Sequence, residues 1–549
     1  MIRLTWINLS LLMLAATTHA GQPGPTLLAH WKLAHDAKDS SLNGHDGIAH
    51  SVAFRAMPPG RQGTAVVFDG HSSRIEVKTD SGMSLGTGDF TIALWTHTQE
   101  NLDDDLGDLV TQFDPKKRVG FNLSIRNNTG VTSSQANTRQ IQFGIDAGCE
   151  PKWTDEGRPG NAALAFAMAT HGGNLYAGTA SNTRGERGRV YRFAGHEKWV
   201  DCGAPDISNT VSAMAVHQGH LYAASSKYRF SGSAMTESDN TNPGGGVFRY
   251  EGDSRWSEVG RLPDTEAIGG LVEFRGKLHA SSLYKPAGFF RREHDGKWTS
   301  LPVPDGKRVE SMAVFNGFLW ATSYDGGRVY RFDGITWKDF GQLGDNSQTY
   351  SFAIHRGQLC VGSWPSGKVY RLQAAGWEDL GRLGNELEVM GMLVHNGKLY
   401  AGTLPLAHVY RYDGGKTWTR TAQLDSTPDV KYRRAWTMAQ YQGRLFCSTL
   451  PSGKVHAMDA GPCLTYDHAI SPGWHHITAV KQNDLLKLFL DGKQVGESAK
   501  FDPAALDLTT REPLLIGAGQ GDFFHGSLSD VRFYKQALNP QEISTLARP

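Results

Sequence analysis

Through the middle of the chain, short apolar runs alternate with glycine-centred turns in one recurring phrase. It reads GGNLYAGT from Gly172, QGHLYAAS from Gln218, NGFLWATS from Asn316 and NGKLYAGT from Asn396. The surroundings recur as well: an apolar run such as SAMAV at Ser212, the glycine turn, a second run, a variable loop, a third run such as VYRF at Val190 or Val329, and a closing run with a tryptophan. Short runs with period-two alternation, bounded by Gly, Asn and Asp, predict β-strands. Four such strands per unit, recurring roughly every 40 residues, predict the blades of a β-propeller.

Aligning the copies on their glycine gives seven, at Gly173, Gly219, Gly276, Gly317, Gly357, Gly397 and Gly443. The tryptophans Trp153, Trp199, Trp256, Trp298, Trp337, Trp377 and Trp418 also number seven, but their series starts before the first glycine, and the last copy has none after it. The strand at Lys152 is therefore expected to complete the last blade, giving a seven-bladed propeller over residues 150–462 closed by strands from both of its ends. Closure of this kind hides strand edges that otherwise aggregate. A side chain present in every copy serves the fold. The tryptophans, and the third-strand arginines Arg192, Arg249, Arg291, Arg331, Arg371 and Arg411, are read as structural on that ground.

On either side of the repeats, the alternation and the Gly, Asp and Asn turns predict an antiparallel sandwich. The phrases FDG…IEV from Phe68, GDFTIALW from Gly88, WHHITAV from Trp474, LFLDGKQVG from Leu488 and GSLSDVRFYKQALNPQEI from Gly526 come in the order of the laminin-G-like domain. Residues 27–147 and 464–549 resemble the two halves of that domain, within the concanavalin A-like lectin/glucanase superfamily. The resemblance implies an all-β chain: a concanavalin A-like jelly roll with the seven-bladed propeller inserted between QIQFGID at Gln140 and GWHHITAV at Gly473.

Such an insertion brings the propeller ends together, and Cys149 and Cys463, just outside them, are expected to form a disulfide. The resemblance also implies one structural Ca²⁺ ion, with Asp39 and Asn43 of DSSLNG and Asp530 of SLSDVRF as hard oxygen donors. Trp31, Trp95 and Trp474 read as sandwich core. His475 and His476 fall on opposite faces of one strand, which does not suit a shared metal. The acidic DDDLGD at Asp103 reads as a solvated turn.

At 549 residues the chain is too long for one ordinary core. A formal net charge of +1 argues against nucleic acid as the main partner. No transmembrane segment follows the chain start. The start itself carries Arg3, an apolar run from Leu4 to Ala16, and small residues at Thr18 and Ala20, which reads as a signal peptide (1–20) cleaved after Ala20. The protein is expected to be secreted, periplasmic or at the cell surface. Its five cysteines are an odd number, so one stays unpaired within the chain. The oligomeric state is not set by these features.

Function is sought where copies differ, since the fold needs them alike. Seven positions before each glycine stand Phe166, Ser212, Gly269, Glu310, Tyr350, Met390 and Trp436. The loops between second and third strands vary too, and in propellers both places open on one face. Gathered there are Tyr228, Tyr284, Tyr324, Tyr350, Trp364 and Trp436, with Glu310, Asp325, His408, Arg433 and Arg434. Aromatic faces among polar groups suit a glycan.

Glycoside hydrolysis needs two carboxylates at a set separation, which Glu310 with Asp325 or Glu266 meets only by chance of three-dimensional placement. The Glu-x-Asp-x-(x)-Glu signature of the superfamily's glucanases is missing. YDGGKTW at Tyr412 resembles the Asp-box of sialidases, which is a turn device. Nucleophile elbows, phosphate loops and zinc spacings are missing as well. The expectation is an exported, noncatalytic carbohydrate- or cell-surface-binding protein. A glycan-active enzyme, hydrolase or lyase, with its site on the propeller face and a purely structural adhesion scaffold are the alternatives.

Overall fold

The computed structural model describes residues 26–80, 82–128 and 130–548, so the expected signal peptide lies outside the described residues. Two sheets pack face to face. One has the order Ala53–Ala56, Thr64–Asp69, His525–Tyr534, Phe90–Thr98, Gly473–Gln482, Leu485–Leu490, Lys493–Glu497, with Leu27–Trp31 also paired to His525–Tyr534. The other runs Gly47–His50, Arg74–Val77, Leu514–Ile516, Gly107–Asp114, Val119–Arg126, Gln140–Ala147, Cys463–Tyr466. Alternate residues of both sheets meet in one core, Phe90, Ile92 and Leu94 against Phe121, Leu123 and Phe143, with Trp31 fully enclosed. Strands from before and after the repeats are direct neighbours in each sheet: Gln140–Ala147 pairs with Cys463–Tyr466, and Phe90–Thr98 with Gly473–Gln482.

Two expectations for the sandwich change. Trp95 and Trp474 are not in the core: alternation from Phe90 and Ile477 turns both to the opposite face of their sheet. The acidic run at Asp103 is not a solvated turn either, because Asp104, Asp105 and Asp108 are buried at the junction with the repeats. There Asp104 accepts from the Asn316 N–H at 2.8 Å, and Asp108 from Arg126 at 3.0 Å.

The repeats make a propeller-like arrangement. Five four-stranded sheets stand as separate blades, starting at Ile268, Met312, Gln348, Glu388 and Arg434. The last of these is completed by Lys152–Asp155, which pairs with Val455–Asp459. Seven separate blades are not formed. The strands of Leu164–Asp201 and Thr210–Arg261 join in one eight-stranded sheet, because the second strand of one copy reaches the first strand of the next through the pair Ala180 and Thr210.

Most of the recurring tryptophans bind one copy of the repeat to the copy before it, while the Trp298 indole N–H is buried without a partner among the described residues. The indole N–H of Trp199, Trp256, Trp337, Trp377 and Trp418 donates to the backbone carbonyl of Glu156, Cys202, Pro302, Phe340 and Leu380 respectively, at 2.8–2.9 Å. Trp153 reaches the Thr421 hydroxyl at 3.4 Å. Their recurrence is thus a packing device. The third-strand arginines likewise bind local partners, Arg249 with Glu251, Arg291 with Glu293 and Arg411 with Asp413.

The sandwich also enters the propeller. Its loop from Asn127 to Arg139 lies along the inner strands and bonds to them in turn. Ala136 O accepts from Thr170, Gln135 N donates to Met214 O, Ser133 O accepts from Leu271, Gly130 O accepts from Phe352, and Thr132 reaches Thr437. Gly130 (φ 75°) passes so close that a Cβ there would lie 2.9 Å from the Ala313 methyl.

At the neck, Lys398 forms a buried ion pair with Asp146, and donates to Ala460 O at 2.8 Å. The expected disulfide is not formed: all five described cysteines are thiols. Strand register is the reason. Cys463 sits opposite Gly144, whereas Cys149 comes beyond the end of that strand at Ala147.

Candidate functional site

Of the residues seven before each glycine, Phe166, Tyr350, Met390 and Trp436 pack in one cluster at a mouth of the propeller-like ring, and one backbone device recurs at this position. The ladder between first and second strands is broken around Phe166, Ser212, Gly269, Tyr350, Met390 and Trp436, a β-bulge in every one of these copies. A bulge re-aims a side chain out of the pleat. Glu310 stands just ahead of its strand, which starts at Met312.

The long loop after Ser226 folds over this mouth. Its 3-10 turn Phe230–Ser233 buries Phe230 completely, in one cluster with Phe166, Tyr228, Tyr350, Met390 and Trp436. Ring centres are 4.8 Å apart for Phe166 and Trp436, 5.1 Å for Phe166 and Tyr228, and 5.2 Å for Tyr324 and Tyr350. Ser233 Oγ fastens the turn, lying 2.7 Å from the Tyr228 hydroxyl and accepting from Arg434 at 2.8 Å. Tyr284, Tyr324 and Trp364 form a half-buried rim. Trp436 is only 5% exposed, so it belongs to the packed layer and not to the rim.

Glu310 is the chemically distinctive member. The Tyr324 hydroxyl donates to its Oε1, while its Oε2 is buried and has no partner among the described residues. Burial holds this carboxyl well above the ordinary carboxylate range. The Trp436 indole N–H is buried and unbonded in the same way. Asp325 differs: Arg308 grips both its oxygens at 2.7 and 3.0 Å and lowers its pKa to about 2. Tyr284 accepts from the Arg229 N–H at 3.0 Å, and the Arg229 guanidinium, paired with Glu266, lies 4.3 Å over its ring. His408 and Arg433 make their bonds outside the ring, His408 to Glu386 at 2.6 Å and Arg433 to Thr427 O at 2.6 Å.

Two residues the sequence pattern passed over belong to the mouth. Glu388 pairs with Arg434 at 3.0 Å, both enclosed, and Arg308 holds Asp325 beside Tyr324. A signal for them exists. Arg308, Gln348, Glu388 and Arg434 each stand two residues before an aligned position, Glu310, Tyr350, Met390 and Trp436, and this fixed offset of polar residues in four copies is the signal.

The implied Ca²⁺ donors do not fit a cation as they stand. Asp39 accepts from the N–H groups of His30, Ser41 and His45 at 2.8–3.1 Å, which makes it a turn anchor. Asp530 is bonded to His30 at 2.6 Å and to Arg532 at 3.1 Å, the latter already a cation. Asn43 turns its amide N–H groups to Leu27 O and Leu28 O. Among the described residues no three His, Cys, Asp or Glu side chains converge on a metal position.

Residues 463–544 match a laminin G family of the concanavalin A-like lectin/glucanases superfamily. No curated protein matches the chain. Among solved structures it is similar to virginiamycin B lyase from Staphylococcus aureus, at 11% identity and TM-score 0.44, over 56% of this chain and 99% of that one. It is also similar to Saccharomyces cerevisiae Sqt1, at 11% identity and TM-score 0.36, over 61% and 100% of the two chains. A chain of a nidogen/laminin complex follows at 11% and 0.29, over 52% and 90%. Likenesses this low assign no function.

Proposed function

We propose that the protein is an exported, noncatalytic carbohydrate- or cell-surface-binding protein whose ligand sits on the propeller face around Glu310. The observation that carries this reading is the Glu310 Oε2 atom, buried without a partner in an aromatic ring that also holds the unbonded Trp436 N–H. Buried polar groups normally find partners. Burial raises the Glu310 carboxyl toward its protonated form, in which it donates to a sugar oxygen while the C–H face of the sugar lies on the rim rings of Tyr324 and Trp364. The laminin G match over 463–544 supports a binding role.

The finer architecture is part of the proposal. The two halves of the eight-stranded sheet act as two further blades, so the repeats over 150–462 form a ring of seven, inserted in a jelly roll made of 27–147 and 464–549. The apolar start of the chain directs export, with cleavage after Ala20. Among the described residues no helix is long and apolar enough to cross a membrane.

A glycan array on the chain from Gly21, followed by calorimetric titration of the hits, tests the reading. Binding without turnover is expected. Glu310→Gln keeps a donor and should keep binding within a few-fold, whereas Glu310→Ala and Trp364→Ala should weaken it at least tenfold. No glycan bound, or binding indifferent to both alanines, overturns it. An enzyme is the second reading, favoured by Glu388: a carboxyl raised by burial and a cation-paired one then share the mouth, the pattern of an acid with a base or nucleophile. Sugar released by the wild type and not by Glu310→Gln would decide for it.

A further inference from the structure

A second cluster lies on the sandwich, apart from the propeller face. Strand register puts Ser529, Trp95 and His476 side by side, and Ser527, His97 and Trp474 in the next row. All six point away from the core built by Ile92, Leu94, Ile477 and Ala479. This outer face is nevertheless covered in part, Trp95 being 6% and His476 2% exposed. The cover is the loop from Met57 to Gly63. The Trp474 indole N–H donates to Pro58 O at 3.1 Å, and the Arg61 guanidinium lies 3.7 Å over the Trp95 ring and 5.9 Å from that of Trp474.

Arg61 lacks what such a cation needs. Its Nε and Nη1 are buried with no acceptor among the described residues, and so is Ser529 Oγ beside Trp95. Asp530, the acid whose field reaches Arg61, is already bonded to His30 and Arg532. Stacking on an indole satisfies a guanidinium's face but leaves its N–H groups unmet. A desolvated cation with free donors is stabilised by an anion that accepts from them. Trp474 and His97, half-buried, with ring centres 5.3 Å apart and planes inclined at 60°, add apolar ring surface beside that charge. A free small anion leaves this surface unused, and a neutral sugar leaves the guanidinium unmet.

We propose that this face is a second carbohydrate site, for an acidic glycan whose sugar ring lies on Trp474 with His97 at its edge and whose uronate carboxylate accepts from Arg61. The loop from Met57 to Gly63 is then the wall of the site that holds Arg61 over Trp95. The site is independent of the propeller-face reading, since none of its residues belongs to the channel mouth.

Calorimetric titration of the whole chain from Gly21 tests this, with oligogalacturonate, a neutral oligosaccharide of equal length, and citrate as a free anion. Oligogalacturonate should bind at least tenfold more tightly than either control, and more weakly as salt rises. Arg61→Gln and Trp474→Ala should each weaken it at least tenfold, with Tm within a few degrees of wild type. Arg61→Lys keeps the charge and the stem, and should restore part of the binding should Arg61→Gln disturb the loop. Trp364→Ala, on the propeller face, should leave uronate binding unchanged. No uronate binding, equal binding of the neutral sugar, or binding lost in Trp364→Ala but kept in Arg61→Gln overturns the proposal.

Discussion

The hydroxyl of Thr132, in a loop between two sandwich strands, donates a 2.8 Å hydrogen bond to the hydroxyl of Thr437 on an inner propeller strand. The contact is fully enclosed and sits at the tip of a segment that runs along the channel. Nearby, Asn137 donates to Gln140 Oε1 at 2.6 Å, Thr170 Oγ1 at 3.2 Å and Gln440 O at 2.8 Å, and accepts from Gln440 N at 3.0 Å. The inner strands therefore meet part of their polar demand through another unit of the fold.

Sandwich and propeller should then unfold together. Scanning calorimetry is expected to show one transition for the wild type. Asn137→Ala strands several buried groups, each costing about 1–3 kcal/mol, and should lower Tm and split the transition. Two transitions already present in the wild type would refute the interlock.

The neck should be sensitive to Lys398. Its ammonium and the Asp146 carboxylate are both enclosed, with side chains 3% and 0% exposed. Lys398→Met leaves Asp146 charged and unpaired and should cost about 3–5 kcal/mol in urea unfolding. The double variant Lys398→Met with Asp146→Leu should recover most of that loss, because an apolar pair needs no counter-charge.

Asp467 gives a pH dependence of known sign. Burial pushes its carboxyl up to about 6, where it accepts from Gln442 N at 2.9 Å and from Thr465 Oγ1 at 2.6 Å. The folded chain holds this proton more tightly than the unfolded chain, whose Asp titrates near about 3.9. Its contribution is full below about pH 4 and is lost as pH rises through about 6. The Tm difference between wild type and Asp467→Asn should shift against the wild type over that window. A difference that stays flat from pH 4 to 7 would contradict the raised value.

Trp436 and Trp364 should separate by stability. Trp436 is enclosed between Phe166 and Tyr228, and its change to Ala should cost about 3–5 kcal/mol. Trp364 lies half-buried on the rim and should cost about 1–2 kcal/mol. Chemical denaturation of the two variants measures both.

The strands and their recurrence were legible in the chain, because period two and glycine turns are local. VYRF at Val190 is the strand Val190–Phe193, and most of the recurring tryptophans bind the preceding copy through their indole N–H groups. The aligned position before each glycine coincides with a bulge that recurs between the first and second strands. What surrounds those residues was not legible. Alternation gives Trp95 a face but does not say which face is covered, and a loop some thirty residues earlier in the chain (Met57–Gly63) made it an outer platform under Arg61. Register decided that Cys463 meets Gly144 and not Cys149, and that Ala180 reaches Thr210, merging two copies in one sheet. The polar loop from Asn127 to Arg139 gave no sign that it enters the channel, because its partners from Thr170 to Gln440 are set by closure of the repeats around it. Hydrophobic period is a property of neighbours along the chain. Register, coverage and the burial of Glu310 depend on which distant strands meet, and only the folded chain brings those together.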